Sequence, residues 1–232
     1  MTEELDAVLF DAGGTLWDVS PSREEQFFRA LRARGLEADP ADLAEALRNA
    51  DRVFDDEFAL QDGVNEAPFW ERYDGFVLKE VGIDADPRTI SSDISAAFKE
   101  IVNQLDTWTA FPDAAPALRE LKERGFVLGL VSNATDLARR VLKNLNMERY
   151  FDFVVLSAEV GVRKPRREIF EIALRNARAA PRRTLFVGDK LAVDVKGALG
   201  AGMNAILIDR MNVYPDAHVI RIRDLHALRR FL

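Results

Sequence analysis

The 232-residue sequence contains no cysteine. Disulfide bonds, thiolate nucleophiles, thiolate zinc sites and iron–sulfur clusters are therefore excluded. Long apolar runs are also missing, and none approaches the roughly 18 consecutive residues that a membrane-spanning helix needs. The first ten residues, MTEELDAVLF, lack the basic segment and long apolar run of a secretory signal. We therefore expect a cytoplasmic protein with no membrane partner.

An excess of positive charge is absent as well. Lysine and arginine number 32 against 39 aspartate and glutamate residues, which gives a formal net charge of −7. This balance offers no general attraction for a phosphodiester backbone, so we expect no nucleic-acid partner. An anionic substrate would need a local positive site. The sequence is 48% apolar, which suffices for a sizeable core, and it carries no indication of oligomeric state.

Short apolar runs alternate with helical patterns in the second half of the chain. The runs predict buried strands at 7–10, 127–131, 153–156, 184–187 and 204–208. Apolar residues at helical spacing predict helices at 113–124, 137–145, 168–177 and 191–201. Alternating strands and helices indicate a parallel sheet covered on both faces. We therefore predict a three-layer, Rossmann-like α/β core.

Residues 19–108 interrupt this alternation with helical patterns alone. Four apolar stripes predict four helices: Phe27, Phe28 and Leu31; Leu43, Leu47, Ala50, Phe54 and Phe58; Phe69, Tyr73, Phe76 and Val77; and Ile94, Phe98, Ile101 and Leu105. We predict two domains. Residues 1–18 and 109–232 form the α/β core, and residues 19–108 form an all-helical domain inserted after the first strand.

Polar residues and glycines follow three of the predicted strands. They are Asp11, Gly13, Gly14, Thr15, Ser132, Asn133, Asp189 and Asp194. Parallel sheets bind ligands beyond the carboxyl ends of their strands, so these residues should lie near one another. A fixed cation, Lys164, precedes Pro165 at the start of a predicted helix. The strand ends therefore form the candidate site.

The residue types at these strand ends indicate phosphoryl chemistry. Carboxylates that converge from different strands repel one another unless a cation lies between them, and an oxygen-only donor set suits Mg²⁺. The hydroxyl of Ser132, the charge of Lys164 and the backbone amides of the glycine turn suit phosphoryl oxygens. We therefore expect Mg²⁺ as cofactor and a small phosphorylated metabolite as partner.

Four motifs, in order, resemble those of the haloacid dehalogenase superfamily of hydrolases. They are FDAGGTL around Asp11, LVSNA around Ser132, RKP around Lys164, and VGDKLAVDVKGA around Asp189 and Asp194. The match spans essentially the whole chain. The insert lies between the first and second motifs, where it resembles the family's helical cap domain. The resemblance implies a hydrolase of the phosphatase-like branch.

The resemblance also implies a nucleophile and a metal site. Asp11 would attack phosphorus and form an aspartyl-phosphate, which water then hydrolyses. Mg²⁺ would be held by a carboxylate oxygen of Asp11, the backbone carbonyl of Gly13 and the side chain of Asp189. Asp194 would be a direct or water-mediated ligand.

Substrate contacts are implied in the same way. Ser132 would donate a hydrogen bond to a transferring oxygen, and Lys164 would neutralise charge on the nucleophile and the phosphoryl group. Asp11, Ser132 and Lys164 would therefore be the catalytic residues. The other substrate-binding positions would be Gly14, Thr15 and Asn133.

Gly13 departs from the family pattern. Phosphatases of this superfamily usually carry a second aspartate at this position, which protonates the leaving oxygen and later activates water. The backbone carbonyl of Gly13 preserves the metal ligand, whereas the acid–base group is lost. General acid–base catalysis contributes about 10² to 10⁴ in rate, or roughly 3 to 5 kcal/mol of barrier. The loss can decide whether ordinary phosphate esters are substrates.

Several alternatives stay open at this point. Family members without the second aspartate include dehalogenases, which use no metal and lack the acidic pair that Asp189 and Asp194 form here. They also include phosphonate hydrolases, which need a cap lysine soon after the first motif, whereas the insert holds only Lys79 and Lys99. Both are weakened, and a mutase would need the missing acid–base residue. A Mg²⁺-dependent phosphatase and a catalytically degenerate binding or regulatory protein remain.

Overall fold

The structure, a computed structural model, describes residues 4–61 and 67–232. Residues 1–3 and 62–66, which the predicted domain ranges include, lie outside the described residues. The strands are β1 Ala7–Phe10, β2 Trp17–Val19, β3 Trp108–Ala110, β4 Val127–Ser132, β5 Phe153–Leu156, β6 Thr184–Gly188, β7 Asn204–Ile208 and β8 Arg221–Ile222. The α-helices are α1 Arg23–Arg32, α2 Pro40–Val53, α3 Asp55–Ala59, α4 Ala67–Glu80, α5 Pro87–Ile101, α6 Ala114–Glu123, α7 Leu137–Asn144, α8 Ser157–Val160, α9 Arg167–Ala177 and α10 Gly197–Gly200.

A six-stranded sheet in the order β5-β4-β1-β6-β7-β8 forms the centre of the fold. Every pairing is parallel, and the first strand of the chain lies between β4 and β6, with Ala7 opposite Val127 on one side and Thr184 on the other. The predicted parallel α/β architecture is confirmed. Four apolar residues make up β1, and each of them is fully buried, as a strand with helices on both faces requires.

Helices cover the two faces of this sheet. Ala7 and Leu9 point into the same apolar cluster as Phe170 of α9, whose ring contacts the edge of Phe186 at 5.3 Å between centroids. Successive strand residues alternate faces, so Val8 lies on the opposite side, where α6 packs against β4. Burying one side chain of this size contributes about 2 to 3 kcal/mol. The sheet is therefore the middle of three layers.

The described chain forms two compact units. The core unit combines the chain up to Asp18 with Trp108–Leu232, and the helical unit is Val19–Thr107. The first boundary, after Asp18, lies where the domain ranges put it. The second boundary lies one residue earlier than predicted, because Trp108 begins β3, which pairs with β2. In the described residues no helix has the length and apolar character needed to cross a membrane.

Helices of the helical unit begin where the sequence places caps. Asp39 accepts hydrogen bonds from the backbone of Ala41 and Asp42 ahead of α2, and Asp86 accepts one from Arg88 ahead of α5. The apolar faces of four helices then meet in one cluster. Its largest members are Phe27, Leu31, Leu43, Leu47, Phe69, Tyr73, Val77, Leu78, Ile90 and Ile94.

Three predicted helices differ from the observed ones. The fourth helix of the insert, predicted through Leu105, ends at Ile101, and Leu105 begins a separate 3₁₀ helix, Leu105–Thr107. The helix predicted through Phe58 breaks at Phe54, whose φ of −96° and ψ of 4° end α2, because its ring packs among Phe69, Tyr73 and Phe76. The helix predicted at 191–201 begins as a π-helical turn, Leu191–Lys196, before the short α10. Strands β2, β3 and β8 and helix α8 were not predicted, since each is too short to give a periodic signal.

Candidate active site

The predicted strand-end residues all lie in the core unit, at the carboxyl edge of adjacent strands. Asp11 follows β1 and donates its backbone N–H to the carbonyl of Val187 at 2.9 Å. Ser132 ends β4, the neighbour of β1, and is buried. Asp189 follows β6, the neighbour on the other side. Oxygens of Asp11, Asp189 and Asp194 lie within 4.8 Å of one another, as the strand ends predicted.

Lys164 joins two of these carboxylates. Its Nζ donates to Oδ1 of Asp11 at 2.5 Å and to Oδ1 of Asp194 at 2.7 Å. The lysine side chain is 1% exposed. Burial alone would lower the pKa of Lys164, but the charges and hydrogen bonds of the two aspartates outweigh burial and raise it. The site therefore holds a permanent ammonium beside the proposed nucleophile.

Asn133 fixes the backbone of this lysine. Its amide Nδ2 donates to the carbonyl of Lys164 at 2.9 Å, and its Oδ1 accepts the backbone N–H of Lys164 at 2.8 Å. Both polar ends of the side chain are thus used to hold the lysine loop against the end of β4. A substrate contact by Asn133 stays a prediction, and the structure adds a positioning contact with Lys164 that no local sequence pattern indicates.

Glycines allow the acidic residues to approach the turn. Gly14 has a φ of +70°, and a Cβ there would lie 2.6 Å from Cγ of Asp189. A Cβ at Gly188 would lie 2.5 Å from Cγ of Asp194. Both positions therefore require glycine for close packing. Gly13 differs from them, because a Cβ there would meet nothing within 4 Å and its φ is not positive.

The carboxylates of the site carry more negative charge than the protein offsets. The protein packed around Asp189 raises its pKa well above the usual value, and the charges of Asp11 and Asp194 add to the rise although Lys190 opposes it. Burial, together with the charge of Asp11, raises the pKa of Asp194 to about 6 against the opposing effect of Lys164. Three carboxylates with one buried ammonium thus favour a further cation. Their oxygen-only donors fit Mg²⁺.

Thr15 differs from Gly13 and Gly14 because its side chain is buried in the protein. The residue is fully buried, and its hydroxyl has no hydrogen-bond partner among the described residues. Its carbonyl accepts a hydrogen bond from Arg210 at 2.8 Å. Thr15 therefore contributes to the packing of the turn, and its predicted contact with substrate stays a prediction.

Arg210 and Asp113 belong to the same edge of the sheet and were not predicted. Arg210 follows β7, and its Nη1 and Nη2 donate to the two carboxylate oxygens of Asp113 at 2.9 and 3.0 Å. A usable signal was present, because the strand-end rule applied to residues 204–208 points to Asp209 and Arg210. The pairing with Asp113 had no such signal, since the two residues are far apart in sequence.

Comparisons with known proteins agree with this arrangement. A family model described as haloacid dehalogenase-like hydrolase matches residues 5–202, a range that includes all four motifs. The glyceraldehyde 3-phosphate phosphatase of Methanopyrus kandleri is 33% identical over 208 residues, which are 88% of this chain and 84% of that protein. The phosphoserine phosphatase of Thermus thermophilus is 34% identical over 144 residues, which are 62% of this chain and 55% of that protein.

A solved structure has the same fold. The magnesium-bound crystal structure of YfnB from Bacillus subtilis superposes with a TM-score of 0.66 and covers 99% of each chain at 19% identity. At this identity the likeness concerns the fold alone. The fold and the four strand-end motifs thus point to the same group of proteins.

Proposed function

This chain belongs to the haloacid dehalogenase-like hydrolases, and on that premise we propose that it is a Mg²⁺-dependent phosphatase of a small phosphorylated metabolite. The resemblance seen in the motifs is confirmed by the family match, and the chain is a hydrolase. Two relatives named as phosphatases of small phosphorylated molecules support the substrate class. The observation that carries the proposal is the bridge from Lys164 to Asp11 and Asp194.

Asp11 is the proposed nucleophile. Lys164 binds Oδ1 of Asp11, so we assign the attack to Oδ2. A bond forms between this oxygen and phosphorus while the bond from phosphorus to the leaving oxygen breaks, and the leaving oxygen takes a proton from solvent water, because Gly13 offers no acid, and departs as an alcohol. Water then attacks phosphorus, the bond to Asp11 breaks, and inorganic phosphate is released with the carboxylate restored.

Lys164 and Ser132 act on the phosphoryl group. The ammonium of Lys164 is held within the site, so it offsets the charge that accumulates as a dianionic phosphate approaches a carboxylate. Ser132 supplies a hydroxyl donor from the end of β4. Because Asn133 holds the backbone of Lys164 on both sides, the ammonium needs little reorganisation during the reaction.

The residues that would hold Mg²⁺ are Asp11, the carbonyl of Gly13, and Asp189, with Asp194 further out. Both oxygens of Asp194 already accept hydrogen bonds, from Lys164 and from the backbone of Lys190, which favours a contact through water. When bound, Mg²⁺ would supply positive charge to the phosphoryl oxygens.

Phosphate release tests the proposal. Wild-type protein should release phosphate from p-nitrophenyl phosphate with Mg²⁺ and not without it, and Asp11→Asn should abolish the release because the amide is a poor nucleophile. Asp216→Asn, an exposed position in the same unit, is the matched control. Acid-quenched wild-type protein should also carry one added phosphoryl group by intact mass, and Asp11→Asn should not.

The results separate the two functions that remained open. Release at the wild-type rate by Asp11→Asn would refute the covalent route. Binding of Mg²⁺ and phosphate without any turnover of esters would instead support a degenerate binding protein, which the glycine at position 13 favours.

A further inference from the structure

Arg210 is a half-buried residue of the core unit whose guanidinium has three acceptors, while its Nε has no hydrogen-bond partner among the described residues. It donates to both oxygens of Asp113 and to the carbonyl of Thr15, and its guanidinium carbon lies 3.9 Å from the ring centroid of Phe111. The side chains of Arg210 and Asp113 are 15% and 8% exposed. A bidentate pair of this kind fixes the plane of the guanidinium, and the stacked ring fixes it further.

The contact with Thr15 reaches the turn that follows Asp11. Inside this turn, the N–H of Gly14 donates to the carbonyl of Trp17 at 2.9 Å, and that of Leu16 donates to the carbonyl of Ala12 at 2.8 Å. The carbonyl of Thr15 instead accepts a hydrogen bond from Nη2 of Arg210 at 2.8 Å. The arginine thus ties the turn to β7, the strand next to β6.

Asp113 makes the arginine part of a larger frame. Its Oδ2 also accepts the backbone N–H of Leu225 at 2.7 Å, and the N–H of Phe111 donates to the carbonyl of Leu16 at 3.0 Å. The segment before α6 and the carboxy-terminal segment therefore both hold the pair in place. Removing either partner of an ion pair that is largely withdrawn from water leaves the other charge uncompensated and lowers stability.

We propose that Arg210, oriented by Asp113, is a positioning residue that fixes the Gly13–Thr15 turn for metal binding and for attack by Asp11. The inference rests on the proposed function, because the turn matters to catalysis only if the carbonyl of Gly13 is a Mg²⁺ ligand. Arg210 does not contact the reacting atoms. It acts through the backbone of Thr15, as residues behind a metal ligand do when they set its orientation.

The test compares Arg210→Met and Arg210→Lys with Arg221→Met. Arg221 is a matched control, since its guanidinium also has three acceptors, on Asp209, Asn212 and Tyr214, none of them in the turn. Three quantities are measured: the Mg²⁺ dissociation constant by calorimetry, amide hydrogen exchange without metal, and kcat and KM.

Arg210→Met should raise the Mg²⁺ dissociation constant by about 10- to 100-fold, the usual effect of removing a residue behind a ligand. The amides of Gly14 and Leu16 should exchange faster in the metal-free protein, and kcat should fall more than KM changes. Arg210→Lys keeps the positive charge but loses the planar guanidinium that pairs with both oxygens of Asp113. Its Mg²⁺ dissociation constant, amide exchange rates and kcat should therefore lie between those of wild type and Arg210→Met. Arg221→Met should lower the unfolding temperature and leave Mg²⁺ affinity unchanged.

A folded Arg210→Met protein with wild-type exchange, Mg²⁺ affinity and kcat would overturn the inference. If Arg210→Met does not fold, the same three measurements are made on Arg210→Lys and Asp113→Asn, and wild-type values in both variants would overturn the inference. Wild-type protein that binds no Mg²⁺ would refute the proposed function instead, and the exchange of Gly14 and Leu16 would then still show whether Arg210 fixes the turn.

Discussion

Gly13 and Gly14 are neighbours with opposite structural requirements. Gly14 is in the left-handed region and packs against Asp189, so a side chain there meets both backbone strain and a carboxylate. Gly13 has open space where its Cβ would be and no positive φ. Neither the backbone conformation nor the packing requires glycine at position 13. We therefore attribute this glycine to the chemistry of the site.

Gly13→Asp should raise the turnover of alkyl phosphates. The new carboxylate can protonate a leaving oxygen, and the gain should approach the 10² to 10⁴ of general acid catalysis. The gain should be smallest for p-nitrophenyl phosphate, whose leaving group needs little protonation. Steady-state rates on both esters measure the difference, and Gly13→Asn, which has the same shape without the proton, is the control. Equal rates for Gly13→Asp and Gly13→Asn would show that the missing acid does not limit this protein.

Gly14→Ala should damage the site where Gly13→Ala does not. An alanine at position 14 must displace the carboxylate of Asp189 and adopt a φ of +70°, which together cost on the order of 1 to 3 kcal/mol. Denaturant titrations should show this loss, and calorimetry should show weaker Mg²⁺ binding. Wild-type Mg²⁺ affinity in Gly14→Ala would contradict a role of Asp189 as a ligand packed on the turn.

Strand β4 depends on a glycine that lies away from the site. A Cβ at Gly129 would lie 2.6 Å from Cε2 of Phe153 and 2.8 Å from Cδ2 of Leu9, so Gly129→Ala overpacks the contact between three neighbouring strands. We expect a loss of about 1 to 3 kcal/mol in the free energy of unfolding. Gly200→Ala, at the end of α10 with nothing within 4 Å of its Cβ, should be neutral or stabilising by up to about 1 kcal/mol. Equal midpoints in denaturant for the two variants would contradict this packing.

Asp113 connects the start of α6 to the carboxy-terminal segment and gives this connection a pH dependence. Burial by itself would raise the pKa of Asp113, but the hydrogen bonds from Arg210 and from the amide of Leu225 outweigh burial and lower it. The folded carboxyl therefore titrates below its unfolded value near 3.8, so its stabilisation is present above that pH and is lost as the pH falls through the folded pKa.

Asp113→Asn should remove that stabilisation. At neutral pH we expect a loss of about 2 kcal/mol, the contribution of a charged hydrogen bond, and this difference from wild type should shrink as the pH falls below 3.8. Thermal unfolding from acid to neutral pH measures it. A difference that stays constant with pH would show that the charge of Asp113 is not what stabilises the connection.

Sequence patterns were sufficient for the strands and helices that are long enough to show a period, and they failed where a distant side chain determines the backbone conformation. The apolar strand runs are local signals, and the structure has strands at those positions. The break at Phe54 depends on rings in α4, and the wide turn at Leu191–Lys196 places Asp194 against Lys164. Neither partner is visible within a helical window, so periodicity alone predicted continuous helices.

At the scale of the whole molecule, Mg²⁺ should stabilise one unit only. Binding at Asp189 and its neighbours should raise the free energy of unfolding of the core unit, by about 2.7 kcal/mol when Mg²⁺ is 100 times its dissociation constant. Hydrogen exchange should slow in the core unit and stay unchanged in α1, α2, α4 and α5. Asp189→Ala should abolish the effect, with Asp216→Ala as control. The same rise in melting temperature in Asp189→Ala would rule out Asp189 as a principal ligand.

The grouping of the site residues was more predictable from the sequence than the contacts that hold them in position. Parallel topology brings strand ends together, so the grouping of Asp11, Asp189 and Lys164 follows from motif order and the strand-end rule. The contacts from Arg210 to Thr15 and from Asn133 to Lys164 join segments that are remote in sequence. Such pairings have no local signal, because an arginine or asparagine in a loop is compatible with many partners.

The position of β1 has a consequence for biosynthesis. This strand is synthesised first but lies between β4 and β6, which leave the ribosome only after the entire helical unit. At a synthesis rate of roughly 5 to 20 residues per second, the apolar side chains of β1 stay without their partner strands for on the order of ten seconds. The helices of the helical unit pack on one another in a single cluster, so we expect this unit to fold first on the nascent chain. Proteolysis of stalled chains of increasing length should show that the helices of the helical unit are protected while β1 is still cleaved.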